Sequence, residues 1–186
     1  MSLFLGFLPF LLSFILRMFL NARLALGVSA AVGLLSLGRQ LLNGNPKSLT
    51  ILAPLLIGSA FLLALRWPKF AERGAGLLVS GGLAAFVLGG IALGSPFSLE
   101  WARETAPAAI WNAPAFIETN LIISLVWGLG FALLAVVSLP LEMMPGRRVR
   151  SLVAASVMTA AAVFTSWYPA HVRGQYAPVS VEQNIR

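Results

Sequence analysis

The sequence predicts an all-α, polytopic membrane bundle of six, alternatively five, transmembrane helices in three antiparallel hairpins, with a short external interfacial helix between spans four and five. Three observations predict it. Hydrophobic residues make up 59% of the 186-residue chain against 10% charged, with a mean hydropathy of +0.88, too apolar for a surface that faces water throughout. The charges gather in short, mostly basic clusters, which divide the chain into runs near the roughly 20 apolar residues needed to cross about 30 Å of hydrocarbon. Those runs lack the period-2 alternation of barrel strands, and in lipid a backbone N–H or C=O is paired within its own segment only by a helix.

The first span covers residues 3–20; Arg17 must snorkel to the interface, and Pro9 introduces a bend. In the five-span alternative this segment lies in the interface or re-enters. The second span, 24–42, carries Arg39 near its end, and the third, 48–65, is free of charge; Gly44-Asn45-Pro46 between them is a turn signal. The fourth, 74–94, is the richest in small residues. There Gly90 and Gly94 form a GxxxG pair and Ser80 with Ala84 continues the spacing, which serves either packing within this bundle or a homodimer face. No Lys-Ser or Lys-Thr follows these glycines, so they are not a phosphate-binding loop. Spans five, 114–139, and six, 151–168, are separated by Pro140 and Pro145-Gly146. Residues 1–171 form one transmembrane domain, and 172–186 are a polar tail, expected to be mobile.

The connector between spans four and five is acidic and aromatic. Ser95 followed by Pro96 reads as an N-cap with proline at the first helical position, and Pro107 ends about three turns. On that helix Phe97 and Trp101 share one face and Glu100 and Glu104 the adjacent one, which suits a helix lying flat with its aromatics toward lipid or protein.

Sidedness follows from the basic residues. Arg17, Arg23, Arg66, Lys69, Arg73, Arg147, Arg148 and Arg150 fall on one side and Arg39, Lys47, Arg103, Arg173 and Arg186 on the other. The richer side, with turns 17–23, 66–73 and 142–150, is expected to be cytoplasmic, and connector 95–113 and the C-terminus external. The first residues lack a basic stretch before Arg17 and read as a retained segment.

The net charge of +7 is accounted for by this anchoring, so the expected partners are the lipid bilayer, a second copy of the chain or other membrane proteins, and not nucleic acid. There is no Cys, no Asp and a single His, His171, which removes disulfides, thiolate chemistry, aspartyl dyads and paired-His haem ligation; no cofactor or metal is expected.

What remains as a candidate functional cluster is Glu100, Arg103, Glu104 and Glu118, with Asn120 and Trp127 on the fifth span. Glu118 lies in the first turns of that span, where a carboxylate is either a functional group or a complement to the helix dipole. Asn120, Ser124 and Trp127 follow one another on one face. Trp127 reads as a core residue before a ligand clamp. Trp67, Trp101, Trp111 and Trp167 fall at span ends, as an aromatic belt requires, and His171 reads as a surface group. The run Arg147-Arg148-Val149-Arg150 suits anionic lipid heads as well as topology.

The opening Phe4-Leu5-Gly6-Phe7-Leu8-Pro9, the closely spaced spans after it, the basic turn from Trp67 to Arg73 and an Asn-bearing fifth span before one last hairpin helix resemble the bacterial intracellular septation protein A family of small inner-membrane proteins. That resemblance implies a role in cell-envelope synthesis or division through protein contacts, and brings no catalytic residues. Gly6 stands where that family usually carries an acidic residue. Separately, residues 96–104 resemble a connector of uncharacterised bacterial integral membrane proteins.

The leading expectation is therefore a non-enzymatic inner-membrane protein working through protein contacts. A small-solute or ion transporter or channel with a polar external mouth near Glu118 is the first alternative, and a lipid-modifying enzyme using Glu100 or Glu104 the second.

Overall fold

The computed structural model describes residues 3–139 and 146–176, and helix is its only regular secondary structure. Eight α-helices follow one another: α1 (Leu3–Phe19), α2 (Ala22–Leu42), α3 (Ser48–Arg66), α4 (Pro68–Arg73), α5 (Ala75–Ala92), α6 (Leu99–Thr105), α7 (Pro114–Val137) and α8 (Arg147–Tyr176), with a 3-10 turn at Ala108–Ile110. Five of them, α2, α3, α5, α7 and α8, are long and apolar enough to cross a membrane. The chain is an all-α helical membrane bundle. Residues 140–145 of the third basic turn and 177–186 of the tail lie outside the described residues.

Consecutive long helices pack side by side, α2 on α3, α3 on α5, α5 on α7 and α7 on α8, and α8 returns to α1, which closes the ring through α2. The two ends of this bundle are distinct. One carries the α1–α2, α3–α5 and α7–α8 connections and is here the turn side; the other carries the α2–α3 turn and the long 93–113 link and is the connector side.

The first segment is neither a peripheral interfacial helix nor one of the long spans. At 17 residues, about 25 Å, α1 is the short member, yet Phe7, Phe10 and Phe14 recur at helical spacing on one face and are all buried. They pack α1 against α2, α3 and α8, and Phe7 reaches α7 as well, its ring stacked on Trp127 at 4.1 Å and 8°. At the connector side Gly6 of α1 fits beneath Trp101 and Leu49; at the turn side Arg17 converges with Gly76 and Ser138. The helix thus runs between the two ends of the bundle. Its arginine and proline make it look marginal in isolation, but three phenylalanines commit it to the centre.

Small residues set the close approaches. Gly128 of α7 accepts the Leu88 and Val87 side chains of α5, and Gly82 of α5 accepts Leu56 of α3. Ser80 and Ala84 are buried within the chain, so they serve this bundle and are not presented to a second copy. Gly90 and Gly94 have another role. Helix α5 stops at Ala92, Gly94 takes the left-handed conformation (φ 72°), and the Gly94 and Ser95 N–H groups donate to Ile91 O and Gly90 O. Gly44 ends α2 in the same way, at φ 69°, with Gly44 and Asn45 donating to Leu41 O and Gln40 O. Only a residue without Cβ takes this conformation at little cost, so each glycine terminates a helix and turns the chain.

The last helix also departs from expectation. It continues through Pro169 to Tyr176, where the sequence suggested a span ending at 168 and a tail from 172. A proline lacks a single N–H bond, and here that loss falls near the end of a 30-residue helix, with an otherwise unbroken ladder before it.

Candidate functional site

The connector is a strap that folds back over the connector-side ends of α1, α3 and α7. Its helix is shorter than the sequence suggests, starting at Leu99 with Ser98 at the N-cap position. Ser95 does not cap it, because it stands four residues before the first helical position; its N–H closes α5 instead. Phe97 and Trp101 face protein, not lipid, and both are buried. Phe97 meets the edge of Phe7 at 5.7 Å and 84°, and Trp101 lies so close to Gly6 that a Cβ there would stand 2.7 Å from its Cζ2. Trp101 is therefore a packing residue of the strap and not part of an interfacial belt; Trp67 and Trp167, by contrast, are exposed at helix ends.

One side of the strap is fastened by charge. Lys47, just after the α2–α3 turn, has its side chain 10% exposed, and its Nζ lies 2.9 Å from Glu104 Oε1 and donates to Glu100 O at 3.0 Å. A lysine in so dry a setting needs a partner, and two turns of α6 supply both. The Glu100 carboxylate accepts the backbone N–H of Ser48 at 2.9 Å. That N–H is one of the unpaired donors of the first turn of α3, whose N-cap residue has no side-chain oxygen to offer. A carboxylate from 52 residues downstream takes the place of a local cap and complements the helix dipole. Gln40 Oε1 accepts the N–H of Lys47 at 2.8 Å, so the turn itself is also pinned.

Burial acts to raise the Glu104 carboxyl, but the hydrogen bonds and positive charge around it, with Lys47 foremost, hold it below its ordinary value. Glu104 is therefore ionised at neutral pH.

The other side is fastened by hydroxyls. Ser98 Oγ donates to Asn120, shared between its backbone O at 2.9 Å and its Oδ1 at 3.0 Å, and accepts from Ser124 Oγ at 3.0 Å. Asn120 Nδ2 donates to Phe116 O at 2.8 Å. Three buried polar side chains on α7 and the strap thus satisfy one another. Below them Trp127 clusters with Phe7, stacked on it, and Phe131, tilted against both, and its Nε1 donates to Thr165 of α8 at 2.9 Å.

The structure divides the predicted cluster. Glu100 and Glu104 come together, around Lys47; Asn120 and Trp127 lie inside the bundle; Arg103 is exposed and stacks over Trp111 at 5.6 Å. Glu118, two residues before the inward Asn120, points outward. Glu118 and Arg103 are thus exposed, whereas Asn120 is buried. His171 is exposed, stacked on Trp167 at 4.7 Å. Among the described residues no group of three His, Cys, Asp or Glu side chains is placed to hold a metal.

Lys47, Gln40, Ser98 and Thr165 were not singled out by the sequence. Lys47 and Glu104 are 57 residues apart, and no local spacing relates them. The available signal was complementarity of charge: a lone lysine in one turn and two glutamates on one helix face in the other link at the same end of the bundle.

No family model matches the chain, and neither a curated protein nor a solved structure shows significant similarity to it.

Proposed function

We propose that this is a non-enzymatic inner-membrane protein of the bacterial cell, working in cell-envelope maintenance or division through contacts with other membrane proteins. The observation that carries the proposal is the use made of the connector carboxylates. Glu100 caps α3 and Glu104 neutralises Lys47, so the residues best suited to acid–base chemistry hold the strap in place. Asn120 and Ser124 are likewise spent on Ser98. What the protein offers outward are helix faces, with Leu34 and Leu35 on α2, Leu129 and Leu133 on α7 and Val163 on α8 exposed. The envelope assignment draws on the resemblance of layout to the septation protein A family. The excess of Lys and Arg on the turn side supports a cytoplasmic placement of that side and an external strap.

Site-specific photocrosslinking in bacterial membranes tests this. A photoreactive residue at Leu35, Leu129 or Val163 should give a discrete adduct with a protein of envelope synthesis or division. Lipid adducts alone at all three positions would overturn the proposal.

A further inference from the structure

The two ends of the bundle treat their cations differently. On the connector side Arg39, Lys47 and Arg103 accompany Glu100, Glu104 and Glu118, and Lys47 is buried and paired. On the turn side, among the described residues, eight Lys and Arg accompany one Glu, Glu72. There Arg23, Arg66, Lys69 and Arg148 are exposed, and among the described residues none of them makes an ion pair.

Their neighbours are as informative as their charge. Arg23 precedes the exposed Leu24, Arg66 lies between the exposed Leu65 and Trp67 and stacks on that indole at 5.7 Å, and Arg148 precedes the exposed Val149, with Leu152 beyond. Lys69 projects from α4, whose Phe70 packs against the bundle core. Around this rim a cation and an apolar side chain repeatedly occupy the same level. A soluble acidic partner would pair with the cations and leave the leucines in water; a lipid with an anionic head and acyl chains satisfies both.

We propose that the turn-side rim is a binding surface for anionic phospholipids, with Arg23, Arg66, Lys69 and Arg148 holding phosphodiester headgroups and the adjacent Leu24, Leu65, Val149 and Leu152 meeting the acyl chains. This rests on the rim alone and is independent of the assigned envelope role.

The test uses the full chain purified in a neutral detergent, where orientation in a membrane plays no part, with bound lipid counted by native mass spectrometry. Phosphatidylglycerol should be retained at least tenfold over phosphatidylcholine of the same chains, since each cation near an anionic surface contributes roughly fivefold. The combined Arg23→Gln, Lys69→Gln, Arg148→Gln protein, which keeps only Arg66 of the four, should lose most of that preference. Arg39→Gln with Arg103→Gln, on the connector side, should leave retention unchanged. An Arg23→Lys, Arg148→Lys protein keeps the charge and should retain phosphatidylglycerol, which separates loss of binding from loss of folding. Equal retention of the two lipids, or wild-type retention by the triple Gln protein, would overturn the proposal. So would displacement of the lipid by equimolar glycerol phosphate, which would mark a site for a soluble phosphate.

Discussion

Removing the Glu104 charge is the sharpest probe of how the strap is held. In Glu104→Gln the Lys47 ammonium stays 10% exposed and keeps the Glu100 carbonyl at 3.0 Å, but it loses the carboxylate of its ion pair, at 2.9 Å. Breaking a fully buried pair costs about 3–5 kcal/mol, whereas an exposed pair contributes about 0.2–1 kcal/mol. The Glu104 side chain is 22% exposed, so water reaches one partner and the expected loss lies between those limits, about 2 kcal/mol. Lys47→Met removes the buried charge and leaves a carboxylate that water can solvate, for a smaller loss of about 1 kcal/mol. If the two groups act as a pair, the double variant should lose less than the sum by about 1–2 kcal/mol. Reversible unfolding in mixed micelles, followed by tryptophan fluorescence, measures all four proteins; Trp101, with the Lys47 ammonium 5.9 Å from its ring centroid, is a local reporter. Additivity within about 0.5 kcal/mol would refute the coupling and with it the strap's electrostatic latch.

The same pair sets a pH dependence. Because the folded-state pKa of Glu104 is lowered from 4.5, its contribution is fully present above that value and is lost as pH falls through the lowered one; stability should drop in acid, and less so in Glu104→Gln. Gly128→Val should destabilise by about 1–3 kcal/mol in the unfolding assay, since even a Cβ would stand 2.5 Å from Leu88 Cδ2. Gly58→Ala, where nothing lies within 4 Å, should stabilise by up to about 1 kcal/mol; the reverse order would contradict the packing described. Asn120→Ala should cost about 0.5–1.5 kcal/mol, since Ser98 loses the Oδ1 half of a shared bond but keeps the backbone O of residue 120, while Glu118→Gln, two residues away on the outward face, should change stability by less than about 0.5 kcal/mol.

Much of the architecture is legible in the sequence. The uncharged runs marked α2, α3, α5, α7 and α8, because crossing hydrocarbon imposes a length and a composition on each helix separately. Gly44-Asn45-Pro46 announced its turn for an equally local reason. The structure departs from the sequence pattern where that pattern has two physical uses. Gly90 and Gly94 have the spacing of a packing motif, but Gly94 ends its helix in the left-handed region, which spacing cannot reveal. Ser95 before Pro96 has the form of a cap, but Ser95 belongs to the turn that closes α5 and the helix starts only at Leu99. Trp101 sits at a predicted span end and is buried because Gly6, far away in sequence, makes room for it.

The candidate site shows the same division. Composition determined by itself that this chain is a helical membrane protein with few charges, most of the basic ones at one end, since those properties belong to segments and their solvent. Only the tertiary structure decided what the connector glutamates do. Glu100 and Glu104 meet Ser48 and Lys47 across more than 50 residues, through the packing of α6 over α1 and α3. The physical reason is the cost of a buried charge: Lys47 can leave water only where a carboxylate and a carbonyl converge on it, and that convergence exists only once the helices have assembled.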